Sequence, residues 1–416
     1  MGCLAAQLIA STRLQLLQRS LRSAYRKLTR SRATVHYFHQ HDDPYSHLLA
    51  ACLPTLQERY RITFVVHAVP APDSAAAPDL QRLSDWSARD AERLRGSLSA
   101  AARNPAQPLL LKSPTPAELQ RGADLRKKMG HYLGAMLYFE GEWYWGTDRL
   151  HYLEQRLTEA GLRIALPHSQ SGPESEFSPL IPPRALQFIP WPVAPKSTVA
   201  VPPVIHFYCS LRSPYTYLAT RQLMHLARHY GAELRIRYVL PMVMRGLPVP
   251  LAKRLYILRD AKREALRLGL NFGAVVDPVG APVESGLALL HAACAMDKGV
   301  KLLESFLSAV FAQGIDAGST HGLQAIATRA GIGAPEMRAA LKDSNWREQA
   351  ENNRADMLKR GLWGVPCFRV NEQPILWGQD RLWMLEEDLL HALETTPVQV
   401  FQCGDVSGSR LTTMNI

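Results

Sequence analysis

Two distant stretches of this chain carry one pattern. VHYFHQHDDPYSHLL at 35–49 aligns without a gap against IHFYCSLRSPYTYLA at 205–219, sharing His, Pro, Tyr and Leu and exchanging aromatic for aromatic. Further on, W-G-x-D-R-L-x-x-L-E-x-x-L occurs from Trp145 to Leu157 and again from Trp377 to Leu389, with every specified position kept. A repeat of this length restricts the chain to architectures that can be built twice. With 416 residues, too many for one ordinary core, two tandem domains of like fold are expected.

Each copy reads as strand, turn and helix, then a second strand closed by proline (Ile62–Val69 before Pro70, Leu234–Leu240 before Pro241). Each closes with two short strands, Met136–Glu140 with Glu142–Trp145 and Cys367–Val370 with Pro374–Trp377, and a last helix. A βαβ unit followed by ββα is a thioredoxin-like arrangement, so the fold class is α/β with two tandem thioredoxin-like domains. The second copy is longer, and the apolar periodicity of Lys253–Leu268, Gly286–Gln313 and Leu323–Ala330 marks an inserted helical subdomain at about 245–350. The expected boundaries are an N-terminal arm at 1–32, a first domain at 33–163, a linker at 164–203, a second domain at 204–396 and a tail at 397–416. The linker follows from composition: ten of the 29 prolines fall in 167–203, where they remove donors and fix φ, and Phe188 and Trp191 suit a surface contact.

The net charge of +11 is uneven, because residues 1–32 hold seven arginines and lysines and no acid. Leu14, Leu17 and Leu21 share one helical face of this basic, amphipathic arm. Such a helix suits an acidic surface or a partner, but docking on the body of the protein through its leucines is the more ordinary use, and is the reading adopted. No basic stripe with interleaved aromatics follows, which argues against nucleic-acid binding. No apolar run approaches the ~20 residues of a transmembrane segment. The short apolar patch at the start precedes its basic residues, the reverse of a secretory signal, and Ala6 breaks the myristoylation pattern. A cytoplasmic address is expected. The six cysteines are scattered without C-x-x-C, so neither a zinc site nor a local dithiol is indicated.

Two positions of the second copy carry chemistry. Ser213 before Pro214 is a strong helix start, and taken alone it is a structural cap. The same place gathers unpaired N–H groups and the positive end of a helix, where a thiolate is favoured and a serine hydroxyl can donate to it. In Gly364-Val365-Pro366-Cys367, the Val-Pro bond entering a strand is either a cis peptide presenting the Val365 backbone or a plain edge-strand proline.

Taken in order, Ser-Pro-Tyr-Thr-Tyr-Leu-Ala, Tyr238-Val239-Leu240-Pro241, Lys253-Arg254-Leu255-Tyr256 with Arg259-Asp260, Gly-Val-Pro and Trp-Gly-Gln-Asp-Arg-Leu resemble the DsbA-like thioredoxin superfamily. The likeness is to its 2-hydroxychromene-2-carboxylate isomerase and kappa-class glutathione transferase branch, over residues 203–394. The resemblance implies glutathione as cofactor, with Ser213 stabilising its thiolate as the catalytic residue. It implies pairing of the cysteinyl part with Val365 before a cis Pro366, and the γ-glutamyl end received by Gln379 and Asp380. Asp380 keeps a second reading as an N-cap, since Asp148 holds its place in the first copy, and Arg381 and Arg149 read as anchoring ion pairs. The sequence departs from the branch at Ser210, at Cys367 after the proline and at Asn271, and Arg212 beside Ser213 is expected to favour a thiolate further.

In the first copy Asp43 replaces Ser213 and Met136 stands about where Pro366 would be, so this copy reads as degenerate. A carboxylate ~4 Å from a thiolate is repelled by about 4 kcal/mol at moderate dielectric, which removes the chemistry and keeps the cap. His39, His41 and His47 with Asp42 and Asp43 match no familiar ligand spacing, so no metal is expected. The implied activity is a glutathione-dependent isomerase or transferase acting on a small unsaturated or aromatic keto acid, with the first copy covering the second as a pseudo-dimer within one chain. The alternatives are a thiol-disulfide oxidoreductase without C-x-x-C, acting through glutathione or Cys367, and a non-catalytic thioredoxin-like module that grips extended peptides.

Overall fold

The structure, a computed structural model, describes residues 3–98, 112–164, 180 and 201–395. Almost all of the expected linker, with Phe188 and Trp191, and the tail at 397–416 lie outside the described residues.

Each half builds the same four-stranded sheet. In the first, β1 (Thr34–His39), β2 (Thr63–Ala68), β3 (Met136–Phe139) and β4 (Glu142–Trp145) lie in the order β2-β1-β3-β4. In the second, β5 (Val204–Cys209), β6 (Glu233–Tyr238), β7 (Cys367–Val370) and β8 (Leu376–Trp377) lie in the order β6-β5-β7-β8. The first two strands of each sheet are parallel and the other pairings antiparallel, so each half is an α/β, thioredoxin-like domain. The central β5 is buried from Ile205 to Cys209, as its unbroken apolar and aromatic run requires.

The first helices of the two halves, Pro44–Arg59 and Pro214–His229, start alike, each with proline in its first turn and an oxygen-bearing cap before it. Between β6 and β7 run the helices Leu251–Arg267, Ala281–Ala295, Gly299–Ala312, Thr320–Arg329, Ala334–Ala340 and Trp346–Lys359. The apolar run Gly286–Gln313 is not one helix: it breaks at Met296–Lys298, where Asp297 takes φ 54°. Across the matching gap the first half carries Leu80–Ser97 and Pro116–Lys128 among the described residues.

The arm reverses the expectation for it. Its helix Thr12–Leu28 docks by arginines: Arg19 reaches Glu142 at 2.6 Å and Glu159 at 3.1 Å, and Arg26 reaches Glu140 at 2.7 Å. Leu14, Leu17, Leu21, Tyr25 and Leu28 face outward, 41, 55, 62, 69 and 85% exposed. The carboxylates of Glu140 and Glu142 at the β3–β4 turn are largely out of water, and the arm's cations compensate them, which sets the face that turns inward.

Candidate functional site

Ser213 caps the helix Pro214–His229, its Oγ accepting from Thr216 N–H at 3.2 Å. The same hydroxyl donates toward the Val365 carbonyl at 3.5 Å, and the Val365-Pro366 bond is cis. The two residues, distant in sequence, therefore meet. The Val365 N–H has no hydrogen-bond partner among the described residues, so this strand end presents a free donor beside a weakly engaged acceptor. Glycine at 364 is a packing requirement, because a Cβ there would run into the Trp377 ring.

Ser213 and Val365 open onto a cavity of about 630 Å³ lined by both halves of the chain. The first half contributes Tyr45 and Trp86, and the second Trp363 and Trp377. Trp86 meets Trp377 edge-on with ring centroids 5.3 Å apart, and Trp363 meets Trp377 edge-on at 5.1 Å. An indole wall of this kind excludes water and leaves the polar groups at the helix start as the directional features.

The floor is a crossed set of ion pairs. Arg149 of the first half gives two hydrogen bonds to Asp260, at 2.8 and 2.9 Å, and two to Asp380, at 2.9 and 3.2 Å. Arg381 of the second half binds Asp90, at 2.8 Å, and Asp148, with both contacts at 3.0 Å. Tyrosines complete the correspondence: Tyr215 donates to Asp260 and Tyr45 to Asp90. Arg267 adds a third cation, on Glu264. Five carboxylates, those of Asp90, Asp148, Asp260, Glu264 and Asp380, thus face the guanidiniums of Arg149, Arg381 and Arg267, with Arg263 acting on Asp260 at longer range, so acid is in excess. Burial pushes Asp380 up to about 6 against the pull of Arg149, and the carboxylates of Asp148 and Glu264 add to the rise. Asp380 remains 22% exposed, toward the cavity.

The expected site residues fall as follows. Ser213, Val365, Pro366, Gln379 and Asp380 all line the cavity. Gln379 is buried and donates to Glu264 at 3.0 Å and Asp380 at 2.6 Å, which fixes its amide. Neither Asp148 nor Asp380 caps a helix; both are spent on the crossed arginines. Arg212 is not a free cation beside Ser213, since Asp277 grips it at 2.6 Å through both oxygens. Cys209 and Cys367 are free, buried thiols, and burial holds both well above the ordinary thiol range. Asp90 and Trp86 are not indicated by the sequence reading, and Lys253 and Asp260 enter it only within the resemblance, with no role at the site. A signal for the two aspartates exists: Arg89-Asp90-Ala91 repeats as Arg259-Asp260-Ala261. Lys253 lines the cavity and gives its amine to the Ala76 carbonyl at 2.7 Å, and burial pushes it down to about 8.

In the first half Asp43 caps its helix, accepting from Ser46 N–H at 3.0 Å and Tyr45 N–H at 3.3 Å. The strand register puts Ala135, not Met136, opposite Pro366, because Met136 and Cys367 hold equivalent places beside Phe38 and Tyr208. By the same register Gly134 stands where Val365 does, and the Ala135 N–H beside it, a donor that Pro366 lacks, is taken by Ser46 Oγ at 2.9 Å. The His39, His41 and His47 rings stand 5.2 to 6.3 Å apart, and among the described residues no cluster of His, Cys, Asp or Glu is arranged to hold a metal ion.

Residues 204–390 match the DSBA-like thioredoxin domain family. A 2-hydroxychromene-2-carboxylate isomerase of Sphingobium xenophagum is 26% identical over 198 residues, covering 45% of this chain and 97% of that one. Among solved structures, a 2-hydroxychromene-2-carboxylate isomerase is similar at 23% identity and TM-score 0.38, over 45% of this chain and 95% of its own. The cytosolic disulfide reductase DsbM of Pseudomonas aeruginosa, solved with GSH, is similar at 21% identity and TM-score 0.36, over 46% of this chain and 98% of its own.

Proposed function

Because residues 204–390 form a DSBA-like thioredoxin domain, we propose that its Ser213 pocket binds glutathione and serves an isomerase or transferase reaction on a small unsaturated or aromatic keto acid. The observation that carries this reading is the meeting of Ser213 with the Val365 backbone at a helix start that has hydroxyls where a redox pair would need sulfurs. With Ser213 and Thr216 at the helix start and Cys209 and Cys367 buried, the pocket itself offers no accessible cysteine, among the described residues, from which disulfide exchange could begin.

The residues present suit the tripeptide. The free Val365 N–H and the adjacent carbonyl match the backbone of an extended cysteinyl residue. The excess of carboxylates at Asp380 and Asp148 suits the ammonium of a γ-glutamyl end. Bound there, glutathione supplies the sulfur nucleophile that the lining of the pocket lacks. Ser213 turns its proton toward that sulfur, while the Thr216 N–H holds the serine oxygen in place. The indoles of Trp86, Trp363 and Trp377 exclude water, which strengthens both contacts. The name of the Sphingobium relative supports the isomerase form of the reaction. An enclosing wall supplied by the first half suits a small substrate better than a protein chain.

Calorimetric titration of glutathione into the wild type and Ser213→Ala tests the proposal. Loss of a hydrogen bond to a charged sulfur is expected to weaken binding about tenfold or more. If the wild type takes up no glutathione at millimolar concentration, the reading is wrong.

A further inference from the structure

An amphipathic helix on a soluble domain ordinarily turns its apolar stripe inward. The helix Thr12–Leu28 does the opposite, and we propose that it is an interfacial anchor that lays this stripe on an anionic lipid surface. The inward positions Gln15, Arg19, Ser23 and Arg26 are polar and are held by Glu140, Glu142 and Glu159. Arg156 joins the same knot, reaching both Ser23 and Glu140. Leu14, Leu17, Leu21, Tyr25 and Leu28 lie on the opposite side, and Leu8 of the preceding short helix, Cys3–Ile9, is 63% exposed as well. To bury these side chains against the protein the helix would have to roll over and break its ion pairs. They stay outward.

The charge around the stripe identifies its occupant. Arg13, Arg22, Lys27, Arg30 and Arg32 make no ion pair among the described residues, and Arg22 reaches no more than the Tyr138 hydroxyl. No acid occurs in the sequence before Asp42. Exposed leucines flanked by cations are the two components of binding in the plane of a bilayer: acyl chains take the apolar side chains and anionic headgroups take the cations. A second copy of this chain is a poorer match, since it would bring an equally cationic rim against this one. Among the described residues no helix is long and apolar enough to cross a membrane, so the contact is one of lying on the surface.

Co-sedimentation of the full chain with phosphatidylserine–phosphatidylcholine vesicles tests the proposal, with pure phosphatidylcholine vesicles as reference. Binding is expected to the anionic vesicles and to weaken at high salt, where the screening length falls to about 3 Å. Leu17→Glu with Leu21→Glu, and separately Arg13→Glu with Lys27→Glu, should each lower partitioning about tenfold or more. All four substitutions are at exposed positions without ion pairs, so the fold is kept. Absence of binding to anionic vesicles overturns the proposal, as does binding that neither double variant weakens. A wild-type dimer in sedimentation equilibrium that Leu17→Glu with Leu21→Glu makes monomeric, with no vesicle binding, also overturns it and assigns the face to a second copy.

Discussion

Replacing Arg149 with methionine keeps an unbranched apolar stem and removes the guanidinium, with its charge, from the floor of the cavity. Arg149 is 2% exposed and holds two carboxylates, each through two hydrogen bonds. At ~4 Å between charge centres and moderate dielectric, each pair is worth about 4 kcal/mol gross. Burying the guanidinium costs several kcal/mol, so the net loss on breaking the set is about 3–5 kcal/mol. Against a usual total of about 5–15 kcal/mol the variant stays folded but is markedly weaker. The loss is also pH-dependent. Asp380 is raised from 3.8 to about 6 in the folded protein, so the fold favours its protonated form; stability from this group is greatest below 3.8 and is lost as pH rises through about 6. Without Arg149 opposing it, that rise grows, and the deficit is larger at pH 8 than at pH 5. Urea unfolding followed by circular dichroism at both pH values measures it. Arg381→Met, which strands Asp90 and Asp148, should lose a similar amount, whereas Arg347→Met removes an exposed pair with Glu284 worth about 0–1 kcal/mol. A deficit under about 1 kcal/mol for Arg149→Met at pH 8, or an equal deficit at pH 5, would refute the crossed pairs as the link between the halves.

Gly364→Ala forces its new methyl into the Trp377 ring and should cost about 1–3 kcal/mol while displacing Val365; unchanged urea stability together with unchanged glutathione binding would contradict the close packing seen there. Lys253 is depressed from 10.5 to about 8, so the fold favours the neutral amine and stability rises as pH climbs from 7 through 8 toward 10.5. Lys253→Met should remove that rise, about 3 kcal/mol over the whole window, and a wild type whose urea midpoint does not change between pH 7 and pH 10 would show that the amine is not desolvated.

Much of this architecture is readable from local signals. The two helix starts follow from Asp43-Pro44 and Ser213-Pro214, and the strand order follows from applying one pattern twice. The cis bond at Val365-Pro366 was one of two readings open at that dipeptide, and the strand beyond it delivers the pair to Ser213. What escaped is what depends on partners far along the chain. Arg149 finds Asp260 and Asp380 more than a hundred residues away, and no local rule shows that these carboxylates are spent on arginine and not on capping. The arm misled for the same reason: leucine periodicity describes a face, but Glu140, Glu142 and Glu159 decide which face turns inward. Within Gly286–Gln313 the apolar spacing continues across a break that only the backbone at Asp297 reveals.

The exchange of Arg149 and Arg381 between halves joined in one polypeptide has a consequence for stoichiometry. Two separate but identical subunits would be obliged to carry the same pocket twice. A fused pair is under no such obligation, so an aspartate at position 43 can stand opposite a serine at position 213 and one half can become the wall of the other's chamber. Saturation should accordingly be reached at a single ligand for every polypeptide.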